Sequence, residues 1–361
     1  MKKKLFLWMI LAFGTVTFSS CSKDDDNSNG GTGGNISGSC YIVNQGSWGY
    51  NNASLQIYDI NSGTVSSPDC NNDIFFTANG ELLGDGAQDL LWVGNRIFVT
   101  VSTSQKLEIL DETGKRVRQY TYTAEGASPR YMATDGNNVY VTNHDGYVYV
   151  YNAVSGDSVT KIYSGSYPEG ISYCGGSLVV NNSNWGGYGG GEPSVAVIDV
   201  ASGEARIIKD NVCNPYTQSV VCDGEVYIID SGNYMDIQPA IYKVDAANAK
   251  LVKVADNATI MSSCGDHIYY ANANFSYAIG GYEYSPLYKM DVATGEKSEI
   301  LPAEKMENVY SLDVNPETGD IYIGFSLSAD ECGTMRVYSS DGEQKGIFEV
   351  GYYTSGARFR N

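Results

Sequence analysis

Apolar and polar residues alternate along this chain in short runs of five to eight positions, each closed by Gly, Asn or Asp. Such runs are half-buried strands, because successive side chains point to opposite faces, and the closing residues are those that accept tight turns. One pattern recurs: "LQIYDINSG", "LEILDETG", "VYVYNAVSG", "VAVIDVASG", "IYKVDAANA", "LYKMDVATG" and "MRVYSSDG". Its polar marker falls on Asp59, Asp111, Asn152, Asp199, Asp245, Asp291 and Ser339, at spacings of 52, 41, 47, 46, 46 and 48 residues. A further turn and strand stands before each marker from the second onward: "VGNRIFVTV", "DGNNVYVTN", "CGGSLVVNN", "CDGEVYIID", "CGDHIYYAN" and "ETGDIYIGF". Past the leader, no run longer than ten residues has a helical period.

Units of 40 to 50 residues made only of short strands predict an all-β fold of the propeller type, with four antiparallel strands per blade. Seven units predict seven blades. The first unit opens at "CYIVNQG", the second strand of the others, so it lacks an innermost strand. The last unit ends in a surplus "TSGARFRN", which, aligned on "GDGAQDLLW", supplies the missing one. A C-terminal strand around Ala357–Arg360 is therefore expected to close the first blade and remove an open edge. The units carry neither a WD dipeptide nor a kelch diglycine.

The innermost strand of a propeller blade runs from top to bottom. Loops between strands two and three, and connections between blades, then share the top face. The bottom turns ("VGN", "DGN", "CGG", "NSG") are too short to hold a ligand. The top loops carry large rings among glycines: Trp48, Tyr50 and Asn51 in blade 1, Trp185 and Tyr188 in blade 4, Tyr234 and Met235 in blade 5, and Phe275, Tyr277 and Tyr282 in blade 6. Blade connections add Phe75, Phe76, Tyr167, Tyr216, Met306 and Tyr353. The loops of blades 2 and 3 are short, so the rim is asymmetric. Aligning the innermost strands places Gln88, Arg130, Glu169, Thr217, Thr259, Tyr310 and Arg358 at the channel mouth. That ring reads either as a ligand-binding floor or as a self-satisfied polar plug holding water.

Composition adds where the protein works. Lys2, Lys3 and Lys4 precede an apolar stretch and "TFSSC", so residues 1–20 form a signal peptide. The stretch before Cys21 resembles a bacterial lipobox, in which that cysteine is lipidated, and "SKDDD" resembles the acidic export tag of surface lipoproteins. Residues 21–38 are a flexible acidic and Gly-rich tether, and 39–361 the propeller. The formal charge is -19, and losing three leader lysines takes it to -22. Such a surface repels nucleic acid and anionic membrane, leaving the lipid as the only membrane contact. Seven cysteines follow Cys21, with no CxxC pair. Cys174, Cys222 and Cys264 hold the same place in successive units, which points to mostly free, structural thiols.

No enzyme is expected. The two histidines, His144 and His267, lie on different faces, and no nucleophile–base pair, metal motif or phosphate loop is present. Glu169 beside Arg130 reads as a structural ion pair and His144 as a solvated hairpin residue. No intrinsic cofactor or metal is implied. The top face instead interleaves Tyr, Trp, Phe and Met with Asn, Gln, Ser and Gly, which suits a large neutral ligand with apolar faces and amide or hydroxyl edges.

"CYIVNQGSWGYNNASLQIYD", "GDGAQDLLWVGNRIFVTVSTSQKLEILD" and "SPRYMATDGNNVYVTNHDGYVYVYN" resemble the YncE-like seven-bladed propeller lipoproteins of Gram-negative gut anaerobes, and within these the BtuG-like type. The resemblance spans the whole mature chain. It implies an outer-membrane, surface-exposed lipoprotein that captures cobalamin or another corrinoid on the propeller face and passes it to a TonB-dependent outer-membrane transporter. It carries no individual contact residues, because the loops hold no fixed motif. A surface propeller that binds glycan or a partner protein remains the competing expectation.

Overall fold

Each blade's four strands differ in burial because they stand at different distances from the axis. In the computed structural model, residues 38–66, 73–183, 192–233, 235–276 and 280–360 are described, 275 and 276 by backbone alone. Blade 2 shows the scheme: Ala87–Val93 innermost, then Arg96–Val101, Lys106–Leu110 and, outermost, Arg116–Thr121. The first three are mainly buried and rich in Val, Ile and Leu. The last, "RVRQYT", is mostly exposed. Five more blades repeat this order, their innermost strands being Pro129–Thr134, Pro168–Cys174, Val220–Cys222, Ile260–Cys264 and Val309–Val314. Blade 6 adds a two-stranded ribbon, Ala273–Ser276 with Gly281–Tyr284.

Blades pack face to face through apolar clusters that each draw on two neighbours. Between blades 2 and 3, Phe98, Leu107 and Ile109 meet Val139, Val141 and Tyr151. Equivalent clusters join blades 3 to 4, 4 to 5, 5 to 6, 6 to 7 and 7 to 1. Fully burying one such side chain contributes roughly 1.5–3 kcal/mol. Polar bonds at repeat-equivalent positions set how the blades lie against each other. Thr100 Oγ1 donates to Arg130 O at 2.6 Å, Thr142 Oγ1 to Glu169 O at 2.6 Å, and Asn181 Nδ2 to Thr217 O at 2.9 Å. Each time, strand two of one blade holds the mouth of the next.

A C-terminal strand closes blade 1 as expected, but it spans Thr354–Arg358 rather than Ala357–Arg360. Blade 1 has the order Thr64–Val65, Ser54–Asp59, Ser39–Asn44 and, innermost, Thr354–Arg358. Its register differs by three residues from the Gly-Ala alignment. Tyr41 faces Arg358, as Phe98 faces Leu91 in blade 2, so Ser355 stands opposite Gln88 in the scheme and Arg358 lies deeper. Depth gives Arg358 its partners. Nε reaches Asp89 Oδ1 of blade 2 at 2.9 Å, and Nη1 reaches Asp313 Oδ1 of blade 7 at 2.7 Å. The outer carboxylate oxygens accept the Met132 and Ala357 amides. Arg360 extends the seam, donating to Gly94 O at 2.9 Å and lying over the Trp92 ring. At Gly324 of blade 7 any Cβ would collide with Thr354, so the closing strand needs a glycine beside it.

Two other expectations need correction, while the thiols are mostly free as expected. Phe75 and Phe76 belong to a short helix, Ile74–Asn79, capped by Asp73 and by left-handed Gly80. It packs beside the bottom turn of blade 2, with Asn79 Nδ2 on Gly114 O, so Phe75 is core rather than top face. Met306 is likewise fully buried. Cys332 is disulfide-bonded. Cys40, Cys174, Cys213, Cys222 and Cys264 are free, and three of these serve the underside. Cys174 Sγ donates to Gly224 O, Cys222 Sγ to Gly265 O and Cys264 Sγ to Asn315 O, each reaching the turn of the next blade.

Because Arg358 is the counter-ion of buried Asp89 and of partly buried Asp313, Arg358→Ala is expected to lose about 3–5 kcal/mol. Urea unfolding measures this. Deleting residues 355–361 should abolish soluble monomer on gel filtration, and a truncated monomer with unchanged melting would overturn the account of the seam.

Candidate functional site

Two adjoining hollows open on the top face. The first, about 370 Å³, is the channel mouth, lined by Gln88, Arg130, Thr217, Thr259, Tyr310 and Arg358 together with Gln45, Tyr131 and Tyr216. The second, about 340 Å³, lies over blades 1, 2 and 7 and is lined by Trp48, Tyr50, Asp85, Thr103 and Tyr353. Gln45 and Tyr310 line both. The structure thus gathers Trp48, Tyr50, Gln88, Arg130, Tyr216, Tyr310 and Arg358 around one bowl, and Ser355 completes the inner ring that Arg358 was expected to complete.

The other candidates are scattered. Asn51 is exposed, in a left-handed conformation beside the second hollow. Met235 is 76 % exposed and Tyr282 58 %, and neither lines either of these two hollows. Tyr282 stacks on Tyr284 and pairs in register with Phe275. Tyr167, half-buried with a left-handed backbone, sets its ring edge-on to His144 at 5.5 Å. Trp185, Tyr188, Tyr234, Tyr277 and the lipidation candidate Cys21 lie outside the described residues.

At the mouth, Arg130 Nε binds Glu169 Oε2 at 2.7 Å, and His144 Nε2 meets the other oxygen at 2.8 Å. The Glu169 carboxylate is fully buried between them. The ion pair expected from sequence is therefore present, and it extends to His144, which is a buried partner rather than a solvated hairpin residue. Across the mouth, Tyr310 Oη donates to Gln45 Oε1 at 2.5 Å, Gln45 Nε2 to Gln88 Oε1 at 3.3 Å, and Gln88 Nε2 to Tyr131 Oη at 2.9 Å. The Tyr310 ring remains two-fifths exposed while its hydroxyl turns inward. Burial pushes the Tyr131 and Tyr310 hydroxyls well above the ordinary phenol range, so both keep their protons. Among the described residues, no group of three or more His, Cys, Asp or Glu side chains is gathered to hold a metal.

Below the Arg358–Asp313 pair lies a third hollow of about 220 Å³, walled by Leu90, Leu91, Trp92, Val314 and Phe359. The short bottom turns gave no sign of it, because its walls are the innermost strands themselves. The residues that sequence reasoning missed at the mouth, Gln45, Tyr131, Asp89 and Asp313, are neighbours in the chain or in register of those it found. Asp89 directly follows Gln88, and Asp313 lies three residues past Tyr310.

Among solved structures, the chain is similar to a quinonprotein alcohol dehydrogenase-like protein from Bacteroides thetaiotaomicron, with TM-score 0.64 and 18 % identity over 90 % of this chain and 78 % of that one. It is also similar to Kuenenia stuttgartiensis hydrazine synthase, with TM-score 0.57 and 16 % identity over 76 % and 91 %. The Neurospora crassa Pan2 WD40 domain gives 0.55 and 11 % over 74 % and 78 %. The chain is a seven-bladed β-propeller. At these identities the likeness is one of fold alone. No protein-family model and no curated protein matches the chain.

Two carboxylates, buried Asp73 and partly buried Asp313, give the propeller a pH dependence. Burial pushes Asp313 up to about 6, Arg358 pulling against it, and burial likewise raises Asp73 to about 6 against its bonds from the Leu55 and Phe75 amides. Unfolded, both titrate near about 4. Between these values the folded chain binds protons that the unfolded chain does not, so their contribution to stability grows as pH falls from 7 toward 4 and is lost as pH rises through about 6. The urea midpoint should therefore be higher at pH 5 than at pH 7.5. The double variant Asp73→Asn/Asp313→Asn should flatten that slope, and an unchanged slope would reject the assignment.

Proposed function

We propose that this propeller captures a corrinoid on its top face, is held at the outer-membrane surface by a lipid on Cys21, and passes the ligand to a TonB-dependent transporter. One observation carries the reading. Trp48, 83 % exposed, and Tyr50, 64 % exposed, flank a hollow that adjoins a hydrogen-bonding floor of Gln45, Gln88, Arg130 and Tyr310. Rings left in water beside buried polar groups fit a ligand that is a broad apolar plate with an amide fringe, and a corrinoid has that shape and chemistry.

The reading is of binding without catalysis. Glu169 and His144 are engaged with each other and with Arg130, and Asp89 and Asp313, which line the mouth, are engaged with Arg358. The acidic surface, at -19 overall, favours a ligand without net negative charge. Capture would then depend on stacking and hydrogen bonds rather than on electrostatic steering.

Mixing the purified full chain with cyanocobalamin should give red colour co-eluting with protein on gel filtration. Trp48→Ala should weaken binding by about 1–3 kcal/mol, the range for a buried anchor, mainly through faster dissociation. Affinity should change little between low and high salt. Absence of binding at micromolar cyanocobalamin, with retention on immobilised glycans that Trp48→Ala abolishes, would replace the corrinoid by a sugar.

A further inference from the structure

The hydrogen bonds at the channel mouth run in one direction and leave donors without acceptors. Tyr310 gives its proton to Gln45, Gln45 gives an amide hydrogen to Gln88, and Gln88 gives one to Tyr131. Tyr131 ends the chain as an acceptor, and among the described residues its own hydroxyl proton has no acceptor. Among the described residues Arg130 commits only Nε, to Glu169, and its two terminal nitrogens find no partner although the side chain is 12 % exposed. Thr217 Oγ1, on the same wall, is buried without a partner. In a folded protein such groups are nearly always satisfied, so their convergence on one cavity marks what the cavity takes.

Charge narrows the choice. Around the mouth Arg130 and Arg358 face Glu169, Asp89 and Asp313, so two positive groups meet three carboxyls. An oxyanion would enter a site without positive excess in a chain of charge -19. A cation would meet N–H and O–H donors. A neutral carbonyl oxygen takes those donors without a charge penalty, and an amide nitrogen beside it supplies hydrogens for the Thr217 hydroxyl oxygen.

We propose that the channel mouth is a subsite for a neutral carboxamide arm, with the carbonyl oxygen received by Arg130 and Tyr131 and the amide nitrogen by Thr217. The assignment of that arm to a corrinoid rests on the function proposed above; the subsite itself is tested without one. The full chain, labelled with nitrogen-15, is titrated with propionamide, propionate and glycerol at tens of millimolar, and the Arg130 Nε–H and Thr217 amide signals are followed. Propionamide should shift both and propionate should not. Thr217→Val, which removes a hydroxyl that bonds to nothing in the protein, should abolish the response without lowering Tm. An equal or larger response to propionate would make this an oxyanion site, a matching response to glycerol a hydroxyl site, and no response to any of the three a solvent-filled channel. Each of those results overturns the proposal. With cyanocobalamin, Thr217→Val should bind about five- to ten-fold more weakly, the worth of one hydrogen bond. A wild-type chain that responds to propionamide yet does not bind cyanocobalamin would support the subsite and reject the corrinoid.

Discussion

A ring of sheets has one seam, and here the seam is held by a buried charge. Arg358 belongs to blade 1 by strand pairing but reaches sideways to Asp89 of blade 2 and Asp313 of blade 7. Taking three ionised groups out of water is costly, so this cluster is weak evidence for stability as such. Its effect is on register. Sliding the closing strand by two residues would keep its faces correct but carry the guanidinium away from both carboxylates and leave them buried without a counter-ion. The apolar residues around it, Ile42, Ala357 and Tyr322, would tolerate such a slip far better. The charge chooses the one closure in which all seven blades meet.

That closure also builds the floor of the bowl. The residue at the mouth of each innermost strand is placed by the strand's depth, and depth follows from blade-to-blade bonds such as those from Thr100, Thr142 and Asn181. Side chains at the mouth therefore converge with little freedom, while the rings of Trp48 and Tyr50 stand on a loop above them. The combination of a fixed polar floor and aromatic loops is how rigid scaffolds usually present binding groups. The one-way bonding from Tyr310 to Tyr131 adds a polarity across the floor that no single residue carries.

Much of this was legible in the sequence, for a physical reason. Strands alternate with period two and every blade repeats the same turns, so an alignment on turns transfers depth from blade to blade. Gln88, Arg130, Thr217, Thr259 and Tyr310 line the mouth, and Glu169 is fully buried against Arg130. Arg358 lines the mouth from deeper than expected, because the Gly-Ala pair shared with blade 2 suggests a different register from the one set by pairing with Tyr41 and by the two carboxylates. The helix Ile74–Asn79 escaped notice through its brevity, although Asp73 before it and Gly80 after it are ordinary capping residues. His144 was misplaced because a hairpin position says nothing about what the next blade brings to it. Sequence gives depth along a strand well and contacts between blades poorly.

The thiols of the underside have a use that their small size conceals. Cys174, Cys222 and Cys264 each close a different interface, blades 4 to 5, 5 to 6 and 6 to 7, by donating to the neighbouring turn. Burial pushes the Cys174 thiol up, and the Cys222 thiol to about 11, so in the closed ring little of either is present as reactive thiolate. Parting of an interface restores an ordinary thiol to water. Cys222 is 1 % exposed, so the rate at which an alkylating reagent marks it times the breathing of the boundary between blades 5 and 6, a clock built into the ring.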